Sequence, residues 1–446
     1  MFARVNYNFA EKYLVSASLR REGSSRFGAK NKWGWFPAIS FGWRITGEEF
    51  MEGKDGCNDL KLRAGFGVTG NNLGSDLRSI ALMSNSGSFW YNGKYVYTYG
   101  VSQNVNADLR WEKKYEYNLG LDYAFLDNRI YGSLDVYYRQ TRDLLWDYEV
   151  PTPPYQYATL LANAGQMDSY GVELAISGVA VKRGDWSWTT TPTIAFNRNI
   201  ITKLSDPSKN FNYSETTSGG IGENGIMNTN TQILIEGEAV GSFYGYKIAG
   251  YKDGVCYYET VNKKTGKKGK VAADNASEGQ RQILGNAQPL FTYGWNNVIR
   301  WKNLDASIFF RGVVGNKILN VTRWAYGPQA SVGTNLFLKD AVNPNPQTGK
   351  IEYANKSQFT DYYLEDGSYL KLDNLTVGYT FDFKDTNKHI KSLRVYVTGQ
   401  NLFTISSYSG QDPEVSTTSV WSAGIDYPDF YPTVATFMLG VNLNLF

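Results

Sequence analysis

Between residues 60 and 69 the side chains alternate without a break. Leu60, Leu62, Ala64, Phe66 and Val68 fall on one side, and Lys61, Arg63, Gly65, Gly67 and Thr69 on the other. A period of two belongs to an extended strand, whose successive side chains point to opposite faces; a helix repeats every 3.6 residues. The pattern recurs along the chain. Tyr13, Val15, Ala17 and Leu19 oppose Leu14, Ser16, Ser18 and Arg20, and Tyr115, Tyr117, Leu119, Leu121 and Tyr123 oppose Glu116, Asn118, Gly120 and Asp122. At the far end Phe437, Leu439, Val441, Leu443 and Leu445 oppose Met438, Gly440, Asn442 and Asn444. Within these stretches the apolar side carries no charge, while the polar side carries both signs.

The spacing predicts about 13 strands, near 3–9, 13–21, 35–45, 60–69, 111–124, 130–142, 168–180, 186–197, 290–301, 304–314, 368–381, 393–403 and 434–446. Most exceed the about 5 or 6 residues usual for a strand in a soluble sandwich and suit the roughly 9–11 of a tilted membrane-crossing strand. One set of connections is short, as at 10–12, 125–129 and 302–303, whereas the alternate set is mostly long, up to the stretch 198–289. Short turns on one side and long loops on the other are the signature of an outer-membrane barrel, with the long loops extracellular. The expected fold class is therefore all-β: a transmembrane antiparallel up-and-down β-barrel. The mean hydropathy of −0.40 does not oppose this, because lipid-facing and lumen-facing residues average out.

Other readings lose ground on the same pattern. Gly65, Gly67 and Gly70 satisfy G-x-G-x-x-G, but a dinucleotide-binding turn would end the strand there and be followed about 20 residues on by an acid. The alternation runs straight through, and "SNSGSFWYNG" at 84–93 holds no acid. Gly65 and Gly67 are thus read as leaving room on the lumen face, and Gly70 as the start of an extracellular loop. A net charge of +3 with 20% charged residues gives no nucleic-acid footprint, and the basic run "KKTGKKGK" at 263–270 reads as a solvated loop. Cys57 falls in a periplasmic turn and Cys256 in an extracellular loop, so the two are not expected to pair. No run of 18 apolar residues makes a membrane helix, and "MFARVNYNF" lacks the pattern of a signal peptide. With a single histidine, His389, in a polar turn, no catalytic constellation forms; no enzyme activity, cofactor or metal is expected.

Several stretches together resemble a known family: "LRREGSSRFG", "FPAISFGWRI", "LKLRAGFGVTGN", "RWEKKYEYNLGLDYAFLDNRIYGSLDVYY", "GSFYGYK", "EDGSYLKLDNLTVGYTF" and "GQNLFTISSYSGQDPEV". They are similar to the SusC/RagA type of TonB-dependent outer-membrane transporters of Bacteroidota, over nearly the whole chain. The resemblance implies a 22-stranded barrel around an N-terminal plug, a SusD-like surface lipoprotein partner, and import of an oligosaccharide or peptide ligand driven by the TonB complex. By this resemblance residues 1–446 are the C-terminal part of the barrel, with the plug domain, TonB box and signal peptide outside this chain. The chain alone is then not expected to transport. Two points depart from the family pattern. "VAADNASEGQRQ" offers only Asp274, Asn275 and Glu278 where a calcium-loop-like segment is often found, and Phe446 follows one residue after the last outward position, Leu445. Two alternatives stay open: a passive channel or adhesin barrel, and a secreted β-rich carbohydrate-binding protein.

The 33 Tyr and 12 Trp suit half-wet surfaces, where amphipathic rings are favoured. For substrate contact the candidates are the loop aromatics Trp90, Tyr91, Tyr95, Tyr97, Tyr99, Tyr155 and Tyr157, whose faces can stack on sugar rings; loop packing or an interfacial girdle is the plainer role for them. The lumen-facing charges Arg20, Arg63, Glu116, Asp122, Asp135 and Arg139 are expected to form a cross-strand ion network. The "GSFYGYK" aromatics Phe243, Tyr244 and Tyr246 are expected to pack.

Overall fold

Thirteen strands lie side by side in one antiparallel sheet, each paired within it to the wall strands before and after it in the chain. In the computed structural model, which describes residues 1–72, 77–205, 215–223, 226, 228–253, 255–262, 265–327, 338–339, 358–383, 389–415 and 420–445, they are β1 (Phe2–Phe9), β2 (Tyr13–Gly23), β3 (Trp33–Arg44), β4 (Cys57–Asn71), β5 (Glu112–Phe125), β6 (Ile130–Glu149), β7 (Thr159–Arg183), β8 (Trp186–Lys203), β9 (Phe291–Trp301), β10 (Leu304–Val314), β11 (Tyr369–Asp382), β12 (Ile390–Ser406) and β13 (Thr436–Leu445). This is the up-and-down barrel wall that the alternation predicts. Among the described residues β1 and β13 are its edges. Phe446 and the first two lysines of the basic run lie outside the described residues.

The register turns the period of two into two continuous surfaces. Trp43, Leu62, Leu121, Leu134, Leu174, Ile194 and Tyr293 are successive cross-strand partners from β3 to β9. On this outward face Leu119, Val136, Tyr170, Val172, Val397, Leu439 and Leu443 are exposed. Such a broad apolar surface is costly in water and satisfied in hydrocarbon, where a strand's backbone groups must all be paired. Along the apolar band the charges lie on the opposite face.

Three expectations need correction. Several strands run well past the predicted ends: β6 has 20 residues and β7 has 25. The extension of β7 loses the period of two because residues 160–165 are buried on both sides, and a strand covered on both faces reads as a continuous run. Second, Gly70 belongs to β4 and does not start a loop. A Cβ there would lie 2.3 Å from the Phe36 ring and 3.0 Å from Trp111, so the glycine makes room for a core of Phe27, Phe36, Val68, Leu109, Trp111 and Leu161. Third, the long connections are not plain loops but carry strands of their own.

Those connections form a second layer at the long-loop end. Residues 204–290 hold a four-stranded sheet (Glu215–Ile221, Thr229–Ile235, Ser242–Gly245, Gln282–Asn286) and a three-stranded one (Ile248–Lys252, Val255–Val261, Lys268–Ala272). A third small sheet joins Lys317–Asn320 to Leu364–Asp366 and, in parallel, to Ile425–Asp426. One buried core takes Ile221 and Phe243 from the first loop, Leu319, Trp324, Phe359 and Tyr363 from the second, and Ile425 from the third. A six-residue helix, Val321–Tyr326, starts where the Asn320 side chain accepts the Arg323 N–H.

Candidate functional site: the luminal wall and outer mouth

Arg63 on β4 is the centre of the first luminal cluster. Its Nε and Nη2 donate to both oxygens of Asp122 on β5 at 2.8 Å, and Nη2 also reaches Asp135 on β6 at 3.0 Å. That reach crosses Gly120, which sits between Arg63 and Asp135 in the register. A Cβ on Gly120 would lie 2.6 Å from the guanidinium and 2.6 Å from Asp135. A second cluster pairs Arg139 Nε with Glu116 at 3.0 Å, with the guanidinium 4.0 Å from the Tyr137 ring. Tyr137 in turn lies over Gly171, where a Cβ would come within 2.4 Å of it. Arg20 bonds along its own strand to Glu22 and joins neither cluster. Half-exposed pairs like these contribute little individually; together they tile the wall with matched charge. Gly65 faces open space and Gly67 meets only Ala38 at 3.6 Å.

Two further luminal constellations were not singled out from sequence. Arg394 on β12 reaches Asp305 on β10 at 2.8 Å through Nε, passing over Gly378, where a Cβ would lie 2.5 Å from its Nη2. The other ties a loop to the wall. Arg311 on β10 makes a fork onto Glu414 at 2.6 and 2.9 Å, and also donates to Asp373 at 2.7 Å and to the Tyr369 hydroxyl at 3.1 Å. Lys371 on β11, 1% exposed, donates to Glu414 and to Thr433 Oγ1, both at 2.8 Å. Asp412 accepts the Glu414 N–H and the Thr433 N–H, each at 2.9 Å. Burial alone would raise the Glu414 carboxyl, but Arg311 and Lys371 outweigh it and hold that group below its ordinary value. The sequence signal was present: "GQDPEV" places two acids beside a proline in a loop, 407–435, that holds no basic residue.

At the mouth, the loop aromatics divide by position. Residues Met83–Tyr91 and Lys94–Val101 form a separate hairpin, closed by Asn92 and Gly93 with φ of 48° and 77°. These left-handed angles suit Asn-Gly in a tight two-residue turn. Trp90, Tyr95, Tyr97 and Tyr99 share one face, 60–68% exposed, with Trp90 and Tyr95 edge to face at 4.7 Å. Tyr91 lies on the other face with Phe89. Tyr155 packs against a small core of Tyr148, Val150 and Leu160. The Tyr157 hydroxyl donates to the Val101 carbonyl at 2.5 Å, tying the 150–158 turn to the hairpin base. Phe243 is fully buried, Tyr246 stacks on Tyr258 at 4.8 Å, and Tyr244 lies under the Arg281 guanidinium at 4.7 Å. Neither cysteine is in a disulfide.

Comparison with known proteins places this geometry. A family model described as "TonB dependent receptor-like, beta-barrel" matches residues 1–402. The chain is 34% identical over 469 residues to TonB-dependent receptor P3 of Formosa agariphila, an alignment covering 99% of this chain and 45% of that protein. It is 32% identical over 452 residues to TonB-dependent receptor SusC of Bacteroides thetaiotaomicron, covering 99% and 43%. A solved structure of the RagAB peptide transporter superposes with a TM-score of 0.80 at 25% identity, covering 99% of this chain and 47% of that one. The chain thus spans about half the length of the relatives it matches. A continuous antiparallel wall, apolar outside and charge-paired inside, agrees with these matches. The chain belongs to the TonB-dependent receptor β-barrel family, and its sheet is outer-membrane barrel wall.

Proposed function

We propose that residues 1–446 are the C-terminal part of the barrel of a TonB-dependent nutrient importer of the SusC/RagA type. It works with a SusD-like surface lipoprotein and, through a plug outside this chain, with the TonB complex. The ligand is an oligosaccharide or a peptide, and Trp90, Tyr95, Tyr97 and Tyr99 offer one exposed aromatic face to it at the mouth. The charged luminal side chains Arg63, Glu116, Asp122, Asp135 and Arg139 are a solvated wall rather than a reactive site, since each is paired with an opposite charge one or two strands away. The observation that carries the reading is the alignment of 99% of this chain with the RagAB peptide transporter at a TM-score of 0.80.

The test is growth of the native organism with the gene disrupted in frame, on a panel of oligosaccharides and peptides as sole nutrients. A defect on one class, reproduced in the parent by a protonophore, is expected. Normal growth on every nutrient would sink the importer reading, and uptake that survives the protonophore would support a passive channel instead.

A further inference from the structure

Past the apolar band, the outward face of the wall becomes charged, with three cations and one acid on β5 to β8. On β6 the outward residues from Ile130 to Tyr138 carry no charge, a run of roughly 26 Å at about 3.3 Å per residue. Tilted by about 40°, it spans about 20 Å of thickness, close to the roughly 25 Å apolar band of an outer-membrane barrel. Two outward positions further on stands Arg142. The first outward charge beyond the band is Lys113 on β5, Asp168 on β7 and Arg198 on β8. The position steps down across the sheet, because Arg198 pairs with Tyr170, and Tyr170 with Tyr138. Tilted strands require such a step for a line at constant height. These residues therefore mark the extracellular edge of the membrane.

One pair on that line is anomalous. Lys113 and Arg142 are direct cross-strand partners, and like charges placed opposite each other are destabilising. The Arg142 guanidinium lies 5.3 Å from the Tyr115 ring and donates to Gln140 Oε1 at 2.9 Å. Among the described residues, no carboxylate pairs with either cation. The neighbouring acids do not pair with them: Glu116 meets Arg139 on the luminal face, Glu112 the Asn71 amide and the Leu145 N–H, and Asp168 accepts the Tyr138 hydroxyl at 2.5 Å through Oδ2, its buried Oδ1 having no hydrogen-bond partner. Long basic side chains at a membrane edge do extend into water, yet that alone does not put two of them at directly paired positions, one of them 5.3 Å from an aromatic ring. A shared anion does. We propose that Lys113 and Arg142 hold the phosphate of an outer-leaflet lipid headgroup, with Tyr115 seating the glycerol or sugar beneath it. Arg21 repeats the device two strands beyond β4: it lies on the outward face, with its guanidinium 4.4 Å from the Trp33 ring and 5.2 Å from Trp35.

The test uses the protein purified in detergent from its native outer membrane, with native mass spectrometry as the readout. The probes are phosphatidic acid and diacylglycerol of the same acyl chains. Phosphatidic acid is expected to be retained and diacylglycerol lost. The double substitution Lys113→Gln with Arg142→Gln should weaken retention about 25-fold, from about fivefold for each cation near an anionic lipid surface. Lys113→Glu supplies the missing counter-charge within the protein and should abolish retention while keeping the barrel assembled. Inorganic phosphate at millimolar concentration should fail to displace the lipid; complete displacement would make this a free-anion site and overturn the proposal. Equal retention of the two lipids by the native protein would also overturn it, and that comparison needs no variant to fold.

Discussion

Gly120 shows how much a single residue decides in this wall. Its missing side chain lets Arg63 bridge Asp122 and Asp135 across a strand. Gly120→Val puts a branched carbon where the guanidinium lies, and the expected cost is about 1 to 3 kcal/mol of overpacking, read as a lower unfolding midpoint in detergent. Gly65→Ala is the matched control, because open space surrounds that position. Glu414 decides a different matter. Its folded carboxyl titrates below the ordinary value of about 4.3, so its contribution is fully present above that value and is lost as pH falls through the folded one. Limited proteolysis of residues 407–435 should therefore accelerate as the pH drops below about 4. In Glu414→Gln that segment should be cut readily at neutral pH, since the buried Lys371 loses its carboxylate, at a cost of about 3 kcal/mol.

Among the elements, the outer end of β7 is held by one side chain. Asn163 donates to the Arg110 and Asp143 carbonyls at 2.8 Å each and accepts the Arg110 N–H at 3.0 Å. Asn163→Ala would strand these three backbone groups, costing about 3 kcal/mol or more at about 1 to 3 for each buried orphan. Hydrogen exchange should speed up at residues 102–111 and 143–146 while the membrane-facing part of β5 stays protected; uniform protection would count against this role. Such devices explain what was legible in the sequence. All thirteen wall strands could be read, because lipid on one side and lumen on the other enforce a period of two from Leu60 to Val68 and again from Phe437 to Leu445. Beyond the membrane that constraint ends. Residues 160–165 are covered on both sides, and the hairpin at 83–101 is exposed on both, so neither shows an alternation to read. Partner choice was also hidden: Arg63 meets Asp122 and Asp135 across separations of 59 and 72 residues, which only the register reveals. The aromatics at 90–99 were visible as a group, but not that Tyr91 turns away from Trp90, Tyr95, Tyr97 and Tyr99.

For the whole molecule, strand direction sets a counting rule. β1 enters a short turn and β13 leaves a long loop, so the two edges run the same way and cannot pair antiparallel with each other. Antiparallel closure needs an odd number of further strands between them. Residues 1–446 expressed alone in an outer membrane are expected to give no heat-modifiable, detergent-resistant band on a gel. Co-expression with a chain supplying an odd set of strands should restore one, and a compact band from this chain alone would refute the rule. The layer above the mouth has a mechanical consequence. Because Ile221, Phe243, Trp324, Phe359 and Ile425 share one core, three loops are riveted into a single plate. A load on any one of them is divided among six strand ends, so the plate tilts as a unit before any loop peels away.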